Sequence, residues 1–321
     1  MSATLLIVGQ STIDHLVPAR PGPWREQLGG NALYALAGAR LWLDPAHIAV
    51  VTRRGRSFPF DLEGLLDTAG TGRRHIVDIA EDHLVEWIFY EPDGARRSLP
   101  RNPDLLAAGG EGTDARTAYL DRLAAISPSV DDVSAELRWP AAIYLAPQVH
   151  ERHRRFQEAV SAQPPWLCID PSVHYAAGCD AVGLRDHLPR AQAILPSEQE
   201  ALQLLTARDG DPVAAVQDLL AAGFPEAVIK LGRRGCVVGD GKRVAWVRVP
   251  PIETEDPTGA GDAFGGAYAA CRAQHLEPAE AARRAVAAAR LVAGCAGADA
   301  ALSLSPREAG ALLAETTVES L

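Results

Sequence analysis

The sequence predicts an α/β fold, in which a mostly parallel β-sheet is covered by helices on both faces and carries a small antiparallel β-flap. Short β-branched or aliphatic runs alternate with Ala- and Leu-rich stretches of helical period, which is the pattern of parallel strands connected by helices. From residue 73 to residue 99, apolar and polar residues alternate instead around Pro92-Asp93-Gly94. That pattern indicates strands joined by a hairpin.

The individual elements follow from these two periodicities. We predict strands at residues 5–8, 48–52, 143–145, 167–169, 193–195 and 228–231. We predict helices at residues 31–43, 150–161, 197–206, 212–222, 260–273, 278–293 and 306–314. Residues 101–113 are rich in Gly, Pro and Ala and are predicted to form a loop. One domain is expected over residues 1–321, with a β lid formed by about 12–28 and 73–100.

Composition restricts the classes of function. The 321 residues include 31 Lys and Arg against 41 Asp and Glu, a net charge of −10, which argues against nucleic-acid binding because that relies on Lys and Arg to neutralise phosphates. No segment approaches the ~20 apolar residues of a membrane span. The five cysteines are scattered without a C-x-x-C pair and are expected to be reduced thiols. We therefore expect a cytoplasmic protein that acts on small molecules and has no nucleic-acid or membrane partner.

The sharpest local signal is the run EDPTGAGDAFGG at residues 255–266. Small residues that open a helix can point successive backbone N–H groups into one concavity, where the helix dipole adds positive charge, and such a turn binds an anion. Asp262 lies in this field, which favours its carboxylate form. A carboxylate beside a phosphate site is suited to take the proton of a hydroxyl nucleophile during phosphoryl transfer. The simpler interpretation is a glycine-rich loop that only starts an Ala-rich helix.

The segment DPTGAGDAF is similar to the C-terminal signature of the ribokinase-like (PfkB) carbohydrate kinases. Other segments resemble this family in the same order: Asp14 after the first strand, Gly29-Gly30-Asn31 before a helix, PSEQE at residues 196–200 and KLGRRG at residues 230–235. The resemblance implies a ribokinase-like three-layer α/β/α fold with a mostly parallel central sheet and a small β-sheet lid. It also implies an ATP-dependent kinase that phosphorylates an alcohol hydroxyl of a sugar or sugar-like small molecule.

The resemblance assigns a role to each matching position. Gly259, Ala260 and Gly261 would form the anion hole over the transferring phosphoryl group, with Asp262 as the catalytic base. Asp14, Gly29, Gly30 and Asn31 would face the substrate, and Ser197, Lys230, Gly232 and Gly235 would lie along the ATP cleft. Glu200 would organise magnesium through its waters, and Asp256 and Thr258 would help to bind a monovalent cation. The implied cofactors are ATP and magnesium, with potassium as the candidate monovalent ion.

Two departures from the family pattern leave alternatives open. Ser197 stands where the N-x-x-E motif has Asn, and RRGRS at residues 53–57 replaces a Gly-Asp-Asp segment of many relatives. A nucleoside kinase of the same fold and a catalytically weak ligand-binding homologue therefore remain alternatives. A NAD-dependent dehydrogenase is disfavoured because GQST at residues 9–12 lacks the second and third glycines of the dinucleotide fingerprint.

Clustered arginines and exposed flap strands suggest two further features. Arginines at positions 53, 54, 56, 96, 97 and 101 flank the expected sugar side. Because the guanidinium fork suits a carboxylate or phosphate, one hypothesis is an anionic substrate, and the competing one is solvated surface charge. Exposed flap strands make a homodimer through the lid a candidate assembly.

Overall fold

The structure, a computed structural model, describes residues 4–17, 23–71, 73–90, 96–97, 113–135, 140–159, 166–250 and 256–321. The strands in these ranges are β1 (Leu5–Val8), β2 (Thr12–Val17), β3 (Arg25–Gly29), β4 (Ile48–Arg56), β5 (Arg73–Asp82), β6 (Val85–Tyr90), β7 (Arg96–Arg97), β8 (Ala142–Leu145), β9 (Trp166–Ile169), β10 (Ala193–Ile194), β11 (Glu226–Lys230), β12 (Cys236–Gly239), β13 (Val244–Arg248) and β14 (Thr317–Ser320). The helices are α1 (Asn31–Ala39), α2 (Leu62–Thr68), α3 (Thr113–Ile126), α4 (His150–Ala159), α5 (Val173–Ala176), α6 (Ala181–His187), α7 (Leu202–Ala207), α8 (Pro212–Ala221), α9 (Ala260–Ala273), α10 (Pro278–Val292), α11 (Gly297–Leu302) and α12 (Pro306–Leu313).

Ten strands form the large sheet, in the order β14-β13-β12-β11-β10-β9-β8-β1-β4-β5. All neighbours from β11 to β5 pair in parallel, whereas β12, β13 and β14 extend the sheet in antiparallel fashion. Parallel strands need helical crossovers, and these cover both faces of the sheet. The predicted α/β class with a mostly parallel sheet is therefore confirmed.

The side chains of β1 show the three layers directly. Leu5 and Ile7 belong to one hydrophobic core, which contains residues of α1, α9 and α10. Leu6 and Val8 belong to a second core, which contains residues of α4, α6 and α8. Successive side chains of a strand point to opposite faces, so one helical layer covers each face of the sheet.

Helices α1 and α9 touch through their backbones. A Cβ atom added at Gly38 would lie 2.0 Å from the carbonyl oxygen of Ala263, and one added at Gly266 would lie 2.0 Å from that of Ala35. Only glycine permits so close an approach. This contact fixes the first turn of α9 relative to α1.

Four strands form the small sheet, in the order β3-β2-β6-β7. The pair β2–β3 is antiparallel and the pair β2–β6 is parallel, so that Asp14 is opposite Gln27 on one side and opposite Glu86 on the other. The predicted lid range differs from the structure in one part, because Arg73–Asp82 pairs in parallel with β4 at the edge of the large sheet. The reason is that α2 provides a crossover from β4 to β5, which places β5 beside β4. The predicted turn at 92–94 and residues 101–112 of the predicted loop at 101–113 lie outside the described residues, and Thr113 begins α3.

Each of the six predicted strands and seven predicted helices corresponds to an observed element. Two helices are shorter than predicted by four or more residues: α1 ends at Ala39, and the helix expected from residue 197 begins at Leu202. The five cysteines are free thiols. Among the described residues, no helix has both the length and the hydropathy that crossing a membrane requires.

Candidate active site

The turn at Gly259–Asp262 begins α9. Gly259 has φ 76°, and a Cβ atom there would lie 2.1 Å from Cγ of Tyr34, so that only glycine fits. The Ala260 amide donates to the Pro257 carbonyl at 3.2 Å. The Gly261 amide has no acceptor in the described part of the chain, and Gly261 is exposed. Of the three amides of the predicted anion hole, that of Gly261 is thus open to a ligand and that of Ala260 closes the turn.

Asp262 occupies the first turn of α9 and is half-buried. Burial is the main cause that raises the pKa of Tyr34, and the charges of Asp14, Asp256 and Asp262 add to it. The charge of Asp262 also contributes to the raised pKa of Lys230, where carboxylates outweigh the opposing effect of burial. Asp262 therefore lies within electrostatic range of both Tyr34 and Lys230.

Lys230 ends β11 and forms an ion pair with Asp170, which directly follows β9. Its Nζ lies 2.5 Å from Asp170 Oδ2, with the two side chains 11% and 0% exposed. Tyr144 Oη donates to the same oxygen at 3.1 Å. Burial raises the pKa of the Asp170 carboxyl, and Lys230 acts in the opposite direction. Because Lys230 Nζ also lies 3.7 Å from the position of a Cβ added at Gly261, the structure places an ammonium group beside the turn that is predicted to bind an anion.

Sequence reasoning missed Asp170. The available signal was an acidic residue directly after the buried apolar run 167–169. Polar groups that follow parallel strands meet at one edge of the sheet, where α/β proteins bind ligands.

Of the residues predicted along the ATP cleft, Ser197 and Lys230 are brought together by a parallel bridge. The Lys230 amide donates to the Pro196 carbonyl at 2.9 Å, and Glu200 Oε2 accepts the Ser197 amide at 2.6 Å. Gly232 is exposed. Gly235 is buried, with φ 85°, and a Cβ there would lie 1.9 Å from the Val247 carbonyl oxygen, so that its role is to shape the turn into β12.

The acidic groups here are compatible with magnesium. Asp170 Oδ1 is buried and has no hydrogen-bond partner among the described residues, and the charge of Glu200 acts on Asp170. The described residues contain no group of three or more His, Cys, Asp or Glu side chains placed to hold a metal. Magnesium at nucleotide sites usually takes one or two carboxylates together with waters and phosphate oxygens, so two carboxylates fit it.

The substrate side brings Asp14, Gly29 and Gly30 together. Asp14 is 3% exposed, accepts the Thr12 hydroxyl at 2.7 Å, and lies so close to Gly29 that a Cβ there would be 2.0 Å from Asp14 Oδ2. Gly30 precedes α1 with φ 109°. The absence of a side chain lets Asp14 approach the backbone at Gly29 and lets the Gln10 carbonyl approach that at Gly30, where a Cβ would lie 2.5 Å from its oxygen.

Asn31 holds loops together. Its amide nitrogen donates to Gln10 Oε1 and to the Pro147 carbonyl, each at 2.7 Å, and its oxygen accepts the Gln10 amide at 2.7 Å. Both side-chain N–H groups are thus occupied within the protein. Asn31 fixes the loops that follow β1 and β8, which border the substrate side.

Asp256 and Thr258 are tied to the small sheet. Gln27 Nε2 donates to Asp256 Oδ2 at 3.1 Å, and Tyr90 Oη lies 2.6 Å from Thr258 Oγ1 and 3.3 Å from Asp256 Oδ1. The Thr258 amide donates to Asp256 Oδ1 at 3.0 Å. Sequence reasoning missed Gln27, Tyr90 and Tyr34, because no local motif marks them.

The arginines of β4 are paired within the protein. Arg53 Nε lies 2.7 Å from Asp132, Arg54 contacts Asp78 at 2.6 Å and Glu63 at 2.7 Å, and Arg56 lies 3.0 Å from Asp82. The side chains at positions 96, 97 and 101 lie outside the described residues. The arginines of β4 thus have carboxylate partners already, which favours the hypothesis of structural and surface charge for this part of the cluster.

Comparison with known proteins agrees with this geometry. The model of the pfkB family carbohydrate kinases matches residues 157–304. The chain is 34% identical over 274 residues to a cytidine kinase of Thermococcus kodakarensis, covering 83% of this chain and 87% of that protein. It is 39% identical over 103 residues to a 2-dehydro-3-deoxygluconokinase of Thermoproteus tenax, covering 32% and 31% of the two chains.

Solved structures show the same fold. A ribokinase of Thermotoga maritima superposes with a TM-score of 0.63 at 18% identity, covering 97% of this chain and 99% of that one. Phosphofructokinase-2 of Escherichia coli in complex with potassium superposes with a TM-score of 0.65 at 16% identity, covering 98% and 99%. The predicted ribokinase-like fold is confirmed, and with the cytidine kinase similarity over most of both chains, we conclude that this chain belongs to the pfkB family of carbohydrate kinases.

Proposed function

We propose that the protein is an ATP-dependent phosphotransferase that phosphorylates an alcohol hydroxyl of a sugar or sugar-like small molecule. The observation that carries the proposal is the turn at Gly259–Asp262, where an open backbone amide, a half-buried carboxylate and the ammonium of Lys230 converge. Phosphoryl transfer requires this set of groups, because it depends on positioning and on stabilisation of the charge on the transferring group.

In this mechanism Asp14 orients the acceptor by accepting hydrogen bonds from its hydroxyls. Asp262 takes the proton of the attacking hydroxyl as that oxygen bonds to the γ-phosphorus and the bond to ADP breaks. The Gly261 amide and Lys230 stabilise the negative oxygens of the transferring group. Magnesium, for which Asp170 is a candidate ligand and Glu200 the acid that would organise its waters, would neutralise charge on the triphosphate.

The small sheet excludes water from the acceptor. Asp14 on β2 is 3% exposed, although it is the group proposed to bind the acceptor. Closure of a site in this way favours transfer to the acceptor over hydrolysis of ATP. The sheet is thus proposed to act as the lid.

A nucleoside kinase is the second candidate, favoured by the 34% identity to a cytidine kinase over 83% of this chain. A nucleoside presents a ribose hydroxyl to the same base.

The charges near the proposed acceptor site favour a neutral acceptor. Asp14 is opposite Glu86 in the small sheet, and the described arginines of β4 are paired. A second carboxylate near the acceptor would disfavour an anionic substrate by like-charge repulsion.

A coupled ADP-release screen against neutral sugars, polyols, sugar acids and nucleosides tests the proposal. We expect turnover of a neutral sugar or a nucleoside by the wild-type protein and its loss in Asp262→Asn. If no acceptor releases ADP above the rate without acceptor, the protein is a ligand-binding homologue and the proposal fails. Efficient turnover of sugar acids alone would contradict the preference for neutral acceptors.

A monovalent cation is proposed beside the turn, with Asp256 and Thr258 as the contributing residues. Their oxygens are hard ligands of the kind that alkali ions take, and both residues are buried, at 5% and 7% exposure. Replacement of potassium by tetramethylammonium in the assay is expected to lower turnover. Equal rates in both salts would remove the cation from the proposal.

A further inference from the structure

We infer that Tyr90 and Gln27 are positioning residues, through which closure of the small sheet sets the geometry of the anion-binding turn. The inference rests on the proposed function and extends it. It assigns to two residues of the small sheet a role in phosphoryl transfer although neither lies in the turn.

The first step of the argument is the contact itself. Tyr90 from β6 and Gln27 from β3 both reach Asp256, and Tyr90 also reaches Thr258 at 2.6 Å. All four side chains are at least nine-tenths buried, at 8% exposure or less. Buried polar groups that satisfy one another fix a geometry more strictly than exposed ones do, because a displaced partner leaves a desolvated group unpaired.

The second step connects this contact to the turn. Thr258 directly precedes Gly259, and its amide is held by Asp256 Oδ1 at 3.0 Å. Gly259 in turn lies against the ring of Tyr34. The chain from Asp256 to Gly259 is therefore held on both sides, and a shift of Asp256 or Thr258 is transmitted to the Gly261 amide and to Asp262.

The third step connects the contact to the acceptor. Asp14, proposed to bind the acceptor, is paired with Gln27 across β2 and β3. Residues opposite each other in an antiparallel pair lie on the same face of the sheet, so Asp14 and Gln27 move together. An acceptor that draws Asp14 into place thus also brings Gln27 onto Asp256.

The inference predicts a specific kinetic signature. Removal of the Tyr90 hydroxyl should lower kcat by about 10-fold with less than about 3-fold change in the KM for ATP, because misplacement of reacting groups by a fraction of an ångström has effects of this order. Gln27→Met removes the other contact that the small sheet makes with Asp256, and it should also lower kcat. Tyr268→Phe is the matched control, because its hydroxyl is also buried on a hydrogen bond, to Glu226 at 2.8 Å, but lies further along α9.

Amide hydrogen exchange provides a readout that does not depend on an acceptor. Tyr90→Phe and Gln27→Met should each increase exchange at residues 258–262 relative to the wild type, whereas Tyr268→Phe should not. Unchanged exchange in both variants, or a kcat loss as large in Tyr268→Phe, would overturn the inference. If no acceptor is found in the screen, the proposed function fails by itself, and the exchange result still decides whether the small sheet positions the turn.

Discussion

At the scale of single residues, the open Gly261 amide and the half-buried Asp262 carboxylate share the first turn of α9, and the ammonium group of Lys230 lies beside this turn. Lys230 reaches this turn from β11, and its ion pair with Asp170 limits the positions available to the ammonium group. A charge that is already in place when the transition state forms needs no reorganisation at that moment. This explains why a buried ion pair, which contributes little to stability by itself, is compatible with a catalytic site.

Asp262→Asn is expected to lower kcat by a factor of about 10² to 10⁴, the usual contribution of a general base. The amide of Asn cannot accept the proton, so turnover should fall. Because this amide has nearly the same size as the carboxylate, nucleotide binding should persist. Steady-state kinetics and titration with a fluorescent ATP analogue measure the two quantities. Wild-type turnover in this variant would exclude Asp262 as the base.

Tyr34→Phe is expected to leave the free energy of unfolding unchanged or to raise it by up to about 1 kcal/mol. The Tyr34 hydroxyl is buried without a hydrogen-bond partner among the described residues, and such a group costs free energy in the folded state. Tyr144→Phe is the control, because the Tyr144 hydroxyl donates to Asp170. This variant should have a free energy of unfolding lower by about 1 kcal/mol or more. Urea denaturation compares them; a marked destabilisation by Tyr34→Phe would reveal an internal partner for this hydroxyl.

At the scale of elements, the success of sequence reasoning depended on whether a feature is local. The sequence predicted the glycine turn that begins α9 because that turn is encoded in consecutive residues, and the strand pattern predicted the parallel sheet. The contact of Gln27 with Asp256 joins positions 229 apart, and no periodicity reports such a pair. The placement of β5 was missed because its alternating residues fit either sheet, and only the crossover through α2 decides between them.

The contact between α1 and α9 gives an element-scale prediction. Gly266→Ala should destabilise the protein by about 1 to 3 kcal/mol, because its methyl group would meet the Ala35 carbonyl oxygen at 2.0 Å and backbone atoms cannot move aside cheaply. Gly310→Ala in α12 meets nothing within 4 Å and should be neutral or stabilising, by up to about 1 kcal/mol, through helix propensity. Thermal and urea unfolding of both variants measure the contrast. Equal free energies of unfolding for the two variants would show that α1 and α9 can move apart without a cost in stability.

At the scale of the whole molecule, two buried histidines couple stability to pH. His83 Nδ1 accepts the Gly55 amide at 2.9 Å, and His153 Nε2 lies 3.0 Å from the Ala146 carbonyl. Burial lowers the pKa of each imidazole to about 4, against about 6.5 in the unfolded chain. The folded state therefore favours the neutral ring. The contribution of this preference to the free energy of unfolding is fully present above about pH 6.5 and is lost as the pH falls toward 4.

We accordingly expect the free energy of unfolding to decrease between pH 6.5 and pH 4, and His83→Gln to make this decrease smaller. His275→Asn is the control, because His275 is exposed and should not alter the pH dependence. Urea denaturation at pH 7, 5.5 and 4.5 provides the measurement. A His83→Gln curve parallel to that of the wild type would assign the pH dependence to other groups.

The unequal burial of the two sides of the site bears on the order of events in a catalytic cycle. Asp14, on β2 of the small sheet, is 3% exposed, whereas Gly261 faces solvent. Under the proposed function, an acceptor at Asp14 would bind or leave only when the small sheet opens, while nucleotides would exchange in either state. In a pulse–chase experiment, labelled acceptor bound before addition of ATP should be converted to product in preference to a large unlabelled chase. Phosphorylated acceptor should leave after ADP, and its release should limit the steady-state rate. Added viscogen should therefore lower this rate.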